Sequence, residues 1–115
     1  MGYRSDVAVI ITAENKDNFK RYIEELKSMQ TGDFADEIKD NGVDGIRISF
    51  SDIKWYRDFG FEEIDEFEEW LDKIEEDGES YHFVRIGEDL DDVEENIVGD
   101  PKYWVYIERK LEPEF

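Results

Sequence analysis

Hydrophobic and polar positions follow two rhythms along the chain, and their succession predicts its elements. From Gly60 to Asp77 the rhythm is helical. With Phe67 as zero and about 100° per residue, Ile64, Phe67, Trp70, Leu71 and Ile74 fall within an arc of ~120°, as an amphipathic helix lying on a core requires. Residues 3–13 instead hold an unbroken apolar run, Val7 to Ile11, expected of a central strand buried on both faces. Asn15 then offers an N-cap. Phe19, Tyr22, Ile23, Leu26 and Met29 form a second helical stripe, which Thr31-Gly32 is expected to end.

Residues 33–43 fit a short helix or a short strand on Phe34, Ala35 and Ile38. The strand is preferred. The turn Asn41-Gly42-Val43-Asp44-Gly45 leads into Ile46, Ile48 and Phe50 alternating with Arg47 and Ser49, the form of a hairpin. That arm reads on through Trp55-Tyr56, with a bulge or bend near Asp52. After the helix, which is expected to end near Gly78, Tyr81, Phe83 and Arg85 alternate with His82, Val84 and Ile86 as a strand. Residues 87–101 read as a loop or a ragged turn. Tyr103, Val105 and Ile107 alternate with Trp104, Tyr106 and Glu108 in a last strand, and the tail from Leu111 to Phe115 is expected to be loosely held. One domain spanning 1–115, with the order β-α-β-β-α-β-β, predicts an α+β ferredoxin-like sandwich. Its sheet would have about five mostly antiparallel strands, with both helices on one face. Loops, a partner or a second copy would have to close the other face.

Composition acts mainly by exclusion. Aromatics at 15% and hydrophobics at 39% argue against disorder despite 41% charged residues. The absence of cysteine removes disulfides, thiolate metal sites and cysteine nucleophiles. No apolar run approaches the ~18 residues of a membrane span, and no signal-peptide core is visible. The Gly2 start has Asp6 where a myristoylation signal wants Ser or Thr. A soluble, cytoplasmic protein is expected, with no membrane partner.

Candidate chemistry is sparse. Gly42 to Gly45 precedes a strand, not the helix N-terminus that a phosphate loop needs. His82 is the sole histidine, read as an ordinary strand residue. Glu88 to Asp92 carries oxygen ligands without the glycine and final glutamate of an EF-hand. The many carboxylates fall on a face expected to be exposed, not in the cleft that acid–base work requires. No enzyme activity, cofactor or specific metal site is therefore expected. Trp55 and Trp70 are read as core, whereas Trp104 fits core and interface equally.

Charge is where the sequence becomes unusual. The net charge is −19, and residues 62–100 hold 18 acids against Lys73 and Arg85 alone. Glu62, Asp65, Glu69, Asp72 and Glu76 line the helix face opposite the apolar stripe, where like charges three or four apart repel by about 0.2–0.5 kcal/mol per pair. Glu75, Glu76 and Asp77 crowd the helix C-terminus, which the dipole disfavours by about 0.3–1 kcal/mol each. Glu88, Asp89, Asp91, Asp92 and Glu95 extend the acidity into the region 88–95. A helix of about 16 residues is roughly 24 Å long, over which duplex DNA presents about 14 phosphates. The ten acids between Glu62 and Asp77 are of that order. Such a field repels nucleic acid and attracts basic partners. Three readings stand: an acidic face that binds a basic protein, a solvated face that serves solubility, and adaptation to salt, against which stand eight retained lysines.

Gly2-Tyr3-Arg4-Ser5-Asp6-Val7, Ile53-Lys54-Trp55-Tyr56 and Arg85-Ile86-Gly87-Glu88-Asp89, in this order and spacing, resemble small acidic proteins encoded by tailed phages and prophages. The resemblance covers most of the chain in outline and carries no catalytic motif. It implies an accessory gene expressed in a bacterial cytoplasm. Small acidic phage proteins include inhibitors of nucleases and other host defences, some of them DNA mimics, so the implied partner is a basic host protein such as a nuclease or defence complex. The rival expectation is a structural or assembly module, a homodimer joined through an uncovered sheet face or edge near Trp104.

Overall fold

A computed structural model describes residues 5–29, 35–53, 62–87, 93–107 and 111–113. Its elements are β1 (Ser5–Thr12), α1 (Lys16–Ser28), β2 (Glu37–Asp40), β3 (Gly45–Ile53), α2 (Glu62–Glu76), β4 (Ser80–Ile86), β5 (Val93–Val98), β6 (Val105–Ile107) and β7 (Leu111–Pro113). The main sheet runs β2-β3-β1-β4-β5, every neighbour antiparallel. β3 lies between the strands that α1 joins, and β1 between those that α2 joins. These two interleaved β-α-β units make the expected ferredoxin-like α+β sandwich, with β5 added beyond β4.

Each element has a local cause. The apolar run of β1 suits the centre of the sheet, where Val7, Val9 and Ile11 face one side and Ala8 and Ile10 the other, all at most 1% exposed. Asn15 caps α1, its Oδ1 accepting from the Asp17 and Asn18 amides at 2.9 and 3.1 Å. In the β2–β3 turn, Asn41 Oδ1 accepts from the amides of Val43, Asp44 and Gly45 at 2.9–3.0 Å. The bulge near Asp52 is present: β3 uses three residue steps, Phe50 to Ile53, against two in β1, Val7 to Ser5. α2 ends at Glu76 and is closed by Gly78 (φ +82°), whose amide donates to Glu75 while the Glu79 amide donates to Ile74, a Schellman closure.

Both helices pack on one face. The apolar stripe of α2, Ile64, Phe67, Trp70, Leu71 and Ile74, is at most 4% exposed. Burying each such side chain contributes about 1.5–3 kcal/mol. Phe67 meets Phe50 of β3 edge-to-face at 5.5 Å, and Trp70 meets Tyr22 of α1 likewise at 5.9 Å. On the other face, Ala8, Ile10 and Val84 are covered by Val105, with Tyr103 and Ile86 alongside. The chain closes its own sheet there.

Four expectations need correction. Residues 87–101 are not all loop, because Val93–Val98 pairs with β4 from Ile86↔Val93 to Tyr81↔Val98. This strand escapes a pattern search because Val93 to Ile97 are all exposed, so its two faces show no apolar contrast. The strand expected from Tyr103 begins only at Val105, as β6, and it pairs not with the main sheet but with β7. Leu111–Pro113 is therefore paired rather than loosely held. Finally, α1 stops at Ser28, with Met29 as its buried cap residue, before Thr31-Gly32, which lies outside the described residues. Lys54 to Tyr56, including Trp55, also lies outside them. Among the described residues, no helix is long and apolar enough to cross a membrane.

Candidate functional site

The outer side of α2 is built by the same periodicity that builds the core. Because Ile64, Phe67, Trp70, Leu71 and Ile74 must face the sheet, Glu66, Glu69, Asp72, Glu75 and Glu76 are driven to the exposed side, with Lys73 the one base among them. Asp65 is only half-buried, on the flank of the helix rather than its crest. Glu62 begins the helix; its side chain lies outside the described set. Glu69, Asp72 and Glu76 are thus the expected residues placed on the open acidic row.

Two acids just beyond α2 that the charge count includes are structurally engaged. Asp77 pairs with Arg21 and accepts from the Tyr22 hydroxyl at 2.7 Å, joining the end of α2 to α1. Burial first, then this hydrogen bond, holds the Tyr22 phenol well above its ordinary value. Arg21 thereby adds a second cation at the helix C-terminus, where Lys73 is the base in the last turn. Glu79, buried, accepts from the Glu14 and Asn15 amides at 3.2 Å and from Asn18 Nδ2 at 3.1 Å. Its charge faces the N-terminus of α1, where the dipole favours it.

The other acidic candidate among the described residues does not share that surface. Glu95 lies on β5 and faces the sheet side opposite the helices, where its Oε2 meets His82 Nε2 at 2.8 Å. His82 is 1% exposed, and its Nδ1 accepts the Val105 amide at 2.9 Å. That bond fixes the tautomer, leaving Nε2–H to donate to Glu95. Trp104 stands edge-on to the imidazole at 4.8 Å while remaining 41% exposed. Glu88, Asp89, Asp91 and Asp92 lie outside the described residues. Helix and strand therefore present acids on two sides of the molecule.

A second polar cluster fastens the same segment. Asp44, buried in the β2–β3 turn, accepts from Lys102 Nζ and the Tyr103 hydroxyl, each at 2.8 Å, and from Asn41 Nδ2 at 3.2 Å. The Lys102 ammonium, foremost, holds the Asp44 carboxyl below its usual range, and Asp44 in turn raises Tyr103 and Lys102. The Lys102 amide donates to Thr12 Oγ1 at 3.1 Å. No sequence motif announced these fasteners, because their partners lie 58 to 90 residues apart.

A cleft of about 190 Å³ between Asp6, Asp36 and Ser51 is small beside the several hundred Å³ of a drug-sized ligand site. Among the described residues, no group of three His, Asp or Glu side chains is placed to hold a metal ion. Comparison with protein-family models, with curated proteins and with solved structures finds no match.

Proposed function

We propose that this chain is a non-enzymatic, phage-type accessory protein of the bacterial cytoplasm. It binds the basic, nucleic-acid-binding surface of a host protein through the outer side of α2, as an inhibitor or DNA-mimicking decoy. One observation carries the reading: 18 acids stand against 2 bases in residues 62–100, and α2 turns Glu66, Glu69, Asp72, Glu75 and Glu76 outward together. Carboxylates at one helical turn, about 5.4 Å, apart offer a cationic cleft a rigid row of negative charge. The test is affinity capture from bacterial lysate at low and high salt, with Glu69→Lys, Asp72→Lys and Glu76→Lys combined as the control. A captured basic protein, released by salt and by competing DNA and lost with the triple variant, supports the proposal. Retention by the variant counts against it.

A homo-oligomeric assembly module, its acidic face serving solubility, is the second reading. Exposed Val93, Ile97 and Trp104 near the sheet edge favour it. A sedimentation series to high micromolar concentration that shows only monomer removes it.

A further inference from the structure

We infer that the open edge of β5 takes up an extended basic segment of another protein as an additional strand. This surface is separate from the outer face of α2. Among the described residues, β5 ends the main sheet and pairs with β4 alone, so one side of its backbone keeps N–H and C=O groups directed outward. Proteins normally guard such an edge with charged side chains, lysine above all, or with proline, a bulge or a short strand, and glutamates deter acidic strands rather than basic ones. The opposite edge, β2, is guarded: it has four residues and carries Lys39. β5 has six residues, VEENIV, neither Lys nor Pro, and an unbroken register with β4. Among the described residues no strand pairs with its outer side, the geometry that strand addition uses.

Side chains select the occupant. Glu94 and Glu95 point to opposite faces of β5 and keep about half their side-chain surface exposed (51% and 45%), while Arg85 and His82 hold them from the β4 side. An ionised carboxylate has about four lone-pair positions, so each can accept further donors from the outer side. Val93 and Ile97 flank Glu95 on its face and are 42% and 44% exposed, with Trp104 beside the underlying His82. A second copy of β5 suits this edge poorly, because it would bring four carboxylates and no base into one ladder. The complementary antiparallel strand reads apolar, polar, basic, basic, apolar, opposite Ile97, Asn96, Glu95, Glu94 and Val93 in turn.

The test uses the full chain, labelled with nitrogen-15, and the capped peptide Thr-Ile-Gln-Lys-Arg-Val-Thr. Amide shifts concentrated in Val93–Val98, with slowed exchange at alternate amides, are expected. Replacing the peptide's Lys and Arg by Glu should weaken binding at least tenfold. N-methylating one alternate set of peptide nitrogens should weaken it similarly, while methylating the other set should leave it within about twofold. The chain carrying Glu69→Lys, Asp72→Lys and Glu76→Lys should still bind the peptide, which separates this inference from the α2 proposal. No shifts in β5 at millimolar peptide, equal indifference to both methylation sets, or loss of binding with the α2 variant would each overturn it. So would a free chain that already dimerises through β5.

Discussion

Glu79 contributes to the acidic total yet is occupied in holding the molecule together. Its carboxylate answers two amides and one side-chain amide at the start of α1. Glu79→Ala leaves those donors without their acceptor and should cost about 1–3 kcal/mol, read as a lower urea midpoint with unchanged slope. Asp44 makes a prediction in pH. Its folded pKa lies below the ordinary 3.8, so its contribution is complete above about that pH and is lost as pH falls through the lower folded value. Asp44→Asn should therefore lower the melting temperature at neutral pH and leave a shallower loss of stability below about pH 4. Asn15 was legible as a cap because capping is local. Glu79 and Asp44 were not, since their partners sit up to 65 residues away in sequence, a distance at which no periodicity operates.

Elements were legible in proportion to the contrast between their faces. Both helices have one buried side and the sequence marks it, while β1, buried on both faces, shows itself by its unbroken apolar run, and β4 by its alternating aromatics. β5 has no buried side, and β6 with β7 amounts to three residues each, too few for a period to repeat. The candidate site followed the same rule. The exposed row of α2 was readable because it is the complement of a buried stripe, whereas the separation of Glu95 from that row depends on a strand the pattern hides. The end of α2 tests the turn chemistry: Gly78→Ala forces a side chain into φ +82° with open space around it, so backbone strain alone should cost about 1–2 kcal/mol. A chain cut after Pro101 should bare Ala8, Ile10 and Val84. It should bind a hydrophobic dye and self-associate at concentrations where the full chain stays monomeric.

At the scale of the molecule, charge opposes compactness. Extents of 42 × 29 × 22 Å and a net charge of −19 place most like charges within the ~30 Å screening length of 10 mM salt. At 1 M that length falls to about 3 Å. Thermal midpoints should therefore rise with salt, and the rise should be smaller in the chain carrying Glu69→Lys, Asp72→Lys and Glu76→Lys, whose net charge is −19 + 6 = −13. An equal rise in both would show that repulsion at α2 is not what salt relieves. Against that pressure the helix layer is held by large apolar side chains. The cover on the other face is held by Val105 and by polar fasteners at Thr12, Asp44 and His82. The two sides of one sheet should therefore come apart at different free energies. In native-state hydrogen exchange the Lys102 and Val105 amides should open as a first cooperative unit, well before those of β1. A molecule that sheds its cover this way reaches a partly opened form without melting, with its helix layer and acidic row still in place.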